Sequence, residues 1–208
     1  EQDDPDRVVD VIGTMITERI PQKFGFSPSR DVQVLTPMNR GVCGAGNLNE
    51  RLREALNPIP QERQWQELVW GDRTFRPGDR VMQVANNYDH HIYNGDLGKI
   101  LRIDTSSRHV VVNFDGHEAT LSYEDLDQLK LAYAITIHKS QGSEFPVVVV
   151  PILSQHFVML QRNLIYTAMT RAKKLLILVG SRKAISMAVR NLNSQPRHTR
   201  LADRLADA

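Results

Sequence analysis

The chain has 208 residues, 41% of them hydrophobic and 24% charged, enough apolar material to bury a core of its own. A formal net charge of +2 and a pI near 8.8 are too mild to announce a nucleic-acid partner by total charge, so such a partner must be recognised from where Lys and Arg stand. The single cysteine, Cys43, excludes an internal disulfide, and no run of eighteen apolar residues or signal-like opening occurs, so a soluble cytoplasmic protein with an inert thiol and no membrane contact is expected. The first residue is Glu1 rather than Met, which points to a piece of a longer polypeptide.

The stretch "PDRVVDVIGTMITERI" (5–20) carries Val8, Val9, Ile12, Met15, Ile16 and Ile20 at helical spacing behind Pro5. "VQVLTP" (32–37) reads as a buried strand. "NLNERLREALNP" (47–58) reads as an amphipathic helix with Asn47 as cap, Leu48, Leu52 and Leu56 on one face, and Pro58 as stop. From about Gly71 to Leu129 the pattern changes to short strands, "DRVMQV", "GKILRI", "HVVVNF" and "EATLSY", broken by "NGD", "DTSSR" and "DG". A compact antiparallel barrel or sandwich is the simplest reading, inserted at 72–129 into an α/β layer formed by 1–71 and 130–208. After it "AYAIT", "VVVVPIL" and "KLLILVG" read as strands. They alternate with a short turn "IHKSQG" and helices "QRNLIYTAMTRA" and "SRKAISMAVRNL", the pattern of a parallel sheet covered on both faces. The polar tail from Asn193 is expected to fray.

Within this pattern "AYAITIHKSQGSEFPVVVV" (132–150) sets a polar block against the most apolar strand. Binding groups of a parallel sheet collect at strand carboxyl ends, where Thr136 stands. Thr136, His138, Lys139 and Ser140 are hydrogen-bond donors, the inventory that holds a phosphodiester backbone without reading bases. Gln141, Gly142 and Glu144 follow as acceptors and a flexible joint. A capped turn closed by a left-handed glycine explains the same residues without chemistry. In "RNLIYTAMTRAKKLLILVG" (162–180), Arg171, Lys173 and Lys174 either offset a helix dipole, or Arg171 neutralises charge on a transferring phosphoryl group.

Together, "LTPMNRG" (35–41), "GDRVMQVANNYD…NGDLGKI" (78–100), "AYAITIHKSQGSEF" and "LIYTAMTRAKKLLILVG" resemble, in order and spacing over residues 34–180, the second half of a RecD-type superfamily 1 DNA helicase. The resemblance implies two RecA-like lobes clamping ATP with Mg²⁺ and walking along single-stranded DNA toward a duplex junction. The second lobe carries an inserted Src-homology-3-like barrel. It further implies Arg171 at the γ-phosphate, with Arg40 as a second phosphate-sensing arginine, and Gln141, Gly142 and Glu144 near the nucleotide. Thr36, Thr136, His138, Lys139 and Ser140 are then at the DNA backbone, with Asn86, Asn87 and Tyr88 lining the strand path. Translocation is 5′ to 3′ in the family, in a solitary helicase, an exodeoxyribonuclease V alpha subunit with further subunits, or a mobilisation relaxase-helicase of DNA recombination and repair.

No GxxxxGK[ST] occurs in the 208 residues, and the Gly-rich "GVCGAGNLNE" (41–50) lacks the Lys–Ser/Thr that would make it one. The P-loop and the acidic Mg²⁺-holding motif are therefore expected in a first lobe upstream. The rival from another class is a binding-only module, with the barrel gripping DNA or protein. His90 and His91 are expected in a solvated turn rather than a metal site, Trp65 and Trp70 over the joint between the two parts, and Glu124, Asp125 and Asp127 on a solvated face.

Overall fold

A computed structural model describes residues 1–59, 67–157 and 159–191. Asp4 Oδ1 accepts the Asp6 amide at 3.0 Å, and Pro5, with no amide proton to satisfy, opens α1 (Pro5–Thr14). The helix continues through a π-helical turn (Met15–Arg19) into α2 (Ile20–Phe24), which stops at Gly25. The sequence pattern implies one regular helix over 5–20; the wider turn is the difference. Ile12, Ile16 and Ile20 stand four apart and drift around a 3.6-residue helix. The wider turn returns all three to the core, each at most 2% exposed.

The other elements, in chain order, are β1 (Val32–Thr36), α3 (Ala45–Leu56), β2 (Leu68–Trp70), β3 (Arg73–Phe75), β4 (Arg80–Gln83), β5 (Leu97–Asp104), β6 (His109–Phe114), β7 (His117–Ser122), β8 (Leu129–Leu131), β9 (Ala134–Thr136), β10 (Phe145–Ile152), α4 (Arg162–Thr170), β11 (Ala172–Gly180) and α5 (Arg182–Arg190). Four of these strands form a parallel sheet in the order β11-β10-β1-β9. The valines of β10 divide between its faces. Val147 and Val149 join the core under α1 and α3, and Val148 and Val150 join the core under α4 and α5. An unbroken apolar strand is what two covered faces demand.

Helix α3 starts earlier than expected. Its N-cap is Gly44, and Asn47 lies inside the first turn, where it donates to the Val42 carbonyl at 2.7 Å. The loop is too tight for a capping side chain at Gly44, since a Cβ there would lie 2.5 Å from the Arg40 carbonyl.

The antiparallel part has strand order β7-β6-β5-β4-β8 around Val81, Ile100, Val110, Val112, Leu121 and Leu129. The hairpin β2–β3 stands beside it, so the expected boundaries at 71/72 and 129/130 fall inside that hairpin and inside β8. Of the acids expected on a solvated face, Glu124 and Asp127 are exposed and Asp125 is half-buried, and two of the three also have structural duties. Asp125 accepts from the Ser122 amide and hydroxyl, a capping box that starts the 3₁₀ turn Tyr123–Gln128, and Asp127 accepts from Trp70 Nε1 at 2.9 Å. Trp70 packs edge-on against Tyr123. Trp65 and the tail from Asn193 lie outside the described residues.

A buried polar joint fastens the two sheets. Arg80 donates to the Val32 carbonyl at 2.7 Å and to Gln33 Oε1 at 2.8 Å, and Gln33 Nε2 donates to the Ala132 and Tyr133 carbonyls at 3.1 Å. The Tyr133 hydroxyl and Asn57 Nδ2 both donate to Asp79 Oδ1, at 3.0 and 2.9 Å. Burial raises the carboxyl pKa of Asp79, against the lowering effect of these donors.

Strand β11 ends at Gly180, where a Cβ would sit 1.7 Å from the Ile152 carbonyl oxygen; at Gly116 (φ 96°) a Cβ would meet nothing within 4 Å. We expect Gly180→Ala to cost roughly 3 kcal/mol in urea unfolding and Gly116→Ala about 1 kcal/mol. Equal losses would show that the approach to Ile152 carries no weight.

Candidate functional site

The connection from β9 to β10 is held at every turn. The Thr136 hydroxyl accepts the Lys139 amide at 3.3 Å and starts a 3₁₀ turn, Ile137–Ser140. Ile137 is fully buried among the residues that pack on α4 and α5. Ser140, also fully buried, donates its hydroxyl to the Ile137 carbonyl at 2.7 Å. Gly142 at φ 86° then turns the chain in a conformation that disfavours other residues, and the Ser143 amide returns to the Ser140 carbonyl at 3.1 Å. His138, Lys139, Gln141, Gly142 and Glu144 are left exposed.

Arg171 sits against the far end of this segment. Its carbonyl accepts the Phe145 amide at 2.8 Å, its Nη1 donates to the Ser143 carbonyl at 2.9 Å, and its Nη2 donates to Thr170 Oγ1 at 3.2 Å. Beside it, Lys173 Nζ lies 3.2 Å from a Glu144 carboxylate oxygen. The half-buried guanidinium, Gly142, Ser143 and Glu144 thus share one edge, where β10 and β11 begin.

Thr136 lies at the opposite end of the sheet. Its register partner is Thr36, so the carboxyl ends of β9 and β1 are level. There a cleft of about 510 Å³ opens between the α/β lobe and the antiparallel sheet, and Arg40, Thr136, Lys139 and Lys130 line it. The structure does not bring Arg40 to the edge that carries Arg171. β1 delivers Arg40 beyond its carboxyl end, whereas α4 delivers Arg171 to the amino end of β11.

Three expected strand contacts have other duties. Thr36 is fully buried and donates to the Cys43 carbonyl at 2.6 Å, closing the loop that bears Arg40. The buried Ser140 hydroxyl is spent inside its own turn. Asn87 is 9% exposed; its side chain donates to Asp125 at 3.2 Å and accepts the His90 amide at 3.3 Å, tying the loop down. Each of these polar groups is therefore engaged inside the fold. Asn86 is exposed, accepts the Asn94 amide at 2.9 Å, and donates to the exposed Tyr88 hydroxyl at 3.1 Å. Cys43 is buried and its thiol pKa is pushed up to about 11, chiefly by burial, which agrees with an inert role. Lys130 escaped sequence reasoning, because nothing local distinguishes a lysine on a three-residue strand.

Residues 131–179 match the UvrD-like helicase C-terminal domain, and residues 48–114 match the ATP-dependent RecD-like DNA helicase SH3 domain. The ATP-dependent RecD2 DNA helicase of Deinococcus radiodurans is 38% identical over 174 residues, 84% of this chain and 23% of that protein. The chain belongs to the RecD-like helicase family. A second relative, the RecBCD enzyme subunit RecD of Mycolicibacterium smegmatis, is 31% identical over 168 residues, 81% of this chain and 28% of that one. This RecD-like chain therefore spans about a quarter of the length of these curated relatives. The crystal structure of Pif1 helicase from Bacteroides in complex with ADP-AlF3 and ssDNA shares its fold, with a TM-score of 0.54 at 17% identity over 96% of this chain and 49% of that one.

Partial desolvation of an otherwise exposed side chain, with a smaller contribution from Lys130, lowers the Lys139 pKa below its ordinary 10.5. The folded chain disfavours the charged form, so the penalty is present at neutral pH and is relieved as pH rises through the lowered value. Lys139→Met should therefore raise the unfolding midpoint at pH 7, with the difference shrinking toward pH 11. A constant difference would mean that the charge is not its cause.

Proposed function

We propose that the chain is the second motor lobe of an ATP-dependent, RecD-like DNA helicase. The parallel sheet acts as the lobe and the strands from Leu68 to Leu131 as its inserted barrel. The observation that carries this reading is the hydrogen bond from Arg171 to Ser143, which holds a guanidinium and Glu144 on one edge. That edge is one short segment away from the cationic cleft at Thr136 and Lys139. Arg171 then acts as an arginine finger. A phosphate oxygen is a stronger acceptor than the Ser143 carbonyl, so the guanidinium can pass from one to the other as the lobes close. Gln141, Gly142 and Glu144 face the nucleotide. Arg40, His138 and Lys139 face the phosphodiester backbone of single-stranded DNA, with Asn86 and Tyr88 further along the strand. Arg40 takes this role in place of phosphate sensing, because it lies away from the Arg171 edge.

The donors at the Arg171 edge suit phosphate oxygens and not Mg²⁺. Glu144 is paired with Lys173, and among the described residues no group of three or more His, Cys, Asp or Glu side chains is placed to hold a metal ion. The P-loop and the ligands of Mg²⁺ then belong to another part of the polypeptide. When bound there, the metal neutralises charge on the phosphates that Arg171 approaches. Among the described residues no helix is long and apolar enough to cross a membrane, and the cytoplasm is proposed as the compartment. The 5′-to-3′ direction, work at a duplex junction in recombination and repair, and further subunits of an exodeoxyribonuclease V complex or a fused relaxase all rest on the family resemblance.

In the complete protein, Arg171→Ala should lower DNA-stimulated ATP turnover by on the order of 10³–10⁵ and leave DNA affinity largely intact. Intact turnover would favour the binding-only module instead. The 208-residue chain alone should hydrolyse ATP at background rate in a phosphate-release assay. Clear DNA-stimulated turnover by it would refute this division of labour.

A further inference from the structure

The cleft beside Thr136 collects charge from both sheets. Four cationic side chains line it, Arg40, Arg73, Lys130 and Lys139, against two carboxylates, Glu50 and Asp72. Most of the balancing groups are already engaged. Glu50 receives Arg53 Nη2 at 2.6 Å, and Asp72 lies 3.7 Å from Arg73 Nε. Arg73 Nη1 is spent on the carbonyls of Leu126, Asp127 and Leu129 at 3.3, 2.9 and 3.1 Å. Arg40, Lys130 and Lys139 remain, with no carboxylate within 4.0 Å among the described residues. They come from three separate elements: the loop after β1, strand β8, and the 3₁₀ turn after Thr136.

We propose that Lys130, on the antiparallel sheet, grips a backbone phosphate of single-stranded DNA together with Lys139 of the α/β lobe, so that the strand is clamped between the two sheets. The inference rests on the strand-path reading above, which already sets Asn86 and Tyr88 of the barrel along the strand, and deepens it by joining one barrel side chain and one lobe side chain on a single phosphate. Two ammonium groups that repel each other across a cleft are a standing cost. An anion between them replaces that repulsion with two charge-assisted contacts. The carriers are fixed well enough for this. Lys130 is in register with Met82 of β4, and the next two residues, Leu131 and Ala132, lead to Tyr133, whose hydroxyl is anchored on Asp79. Lys139 is set by its own amide on Thr136. A phosphate held there feels both the 137–144 segment and the barrel, so movement of either is transmitted to the strand.

The test uses the complete protein and a fluorescein-labelled oligothymidylate, with anisotropy titrations across a range of KCl concentrations. Lys130→Met and Lys139→Met should each weaken binding several-fold, and the double variant should reduce the log–log salt slope by about 0.7, the share of one phosphate. Lys130→Arg should retain most of the affinity. Because the two lysines share a phosphate, the double variant should lose less than the product of the single losses. If Lys139→Met loses affinity while Lys130→Met binds like the parent, the clamp is wrong and the motor-lobe reading stands. If both variants bind like the parent, the cleft is not the strand path and that reading fails with the clamp. A fully multiplicative loss would also overturn the shared phosphate. Unfolding midpoints of all variants separate these outcomes from misfolding.

Discussion

The shortness of one crossover governs the rest of the structure. Strands β9 and β10 are parallel and flank β1 on either side, yet only eight residues, 137–144, join them. Parallel connections usually take a dozen or more, with a helix. From the level of Thr136 to that of Phe145, two residues before the partner of Val32, the chain must descend about six residues of strand, or roughly 20 Å. Four residues of 3₁₀ helix rise at most about 8 Å, and the next four would add about 13 Å if fully extended, a span that the turn at Gly142 shortens. The segment is nearly taut. No slack remains for a polar decoration that could be lost without consequence: positions either plug the core, as Ile137 and Ser140 do, or face solvent, as His138, Lys139, Gln141 and Glu144 do.

A taut connection makes the two ends of the sheet interdependent. One end presents Thr136 and Lys139 to a cationic cleft, and the other presents Ser143 and Glu144 to Arg171. The Ser143 carbonyl accepts from the Arg171 guanidinium, and with eight residues between the two ends a disturbance has little chain in which to dissipate. Ser140 bonded to Ile137, and Ser143 bonded to Ser140, stiffen the path further. Coupling of this kind needs a contiguous element with few internal freedoms, and this segment has that form.

The barrel is fastened to the same lobe by polar rather than apolar means. Buried Gln33, Asp79 and Tyr133 are satisfied together with half-buried Arg80 and Asn57, and a network of that sort is intolerant of partial loss, because a group freed in its buried centre would stay unpaired. Its directional bonds set the angle between the sheets more sharply than an oily contact could. That angle decides how far Lys130 stands from Lys139.

The sequence by itself determined the parallel lobe, the antiparallel insertion, and the two segments that meet at Arg171, because apolar periodicity and turn residues are local signals and "IHKSQGSEF" and "TRAKKLLILVG" are long enough to be distinctive. It did not reveal which donors stay free. Thr36, Ser140 and Asn87 belong to the right inventory, but the fold spends them on Cys43, Ile137 and Asp125, and a hydrogen-bond partner seven or thirty-eight residues away leaves no local trace. Arg40 and Arg171 are equally basic in the string, and only the strand directions place them at opposite ends of the sheet. Lys130 became a candidate because β8 carries it across to Lys139. Such neighbourhoods are created by long-range packing, and that is why tertiary structure alone decided them.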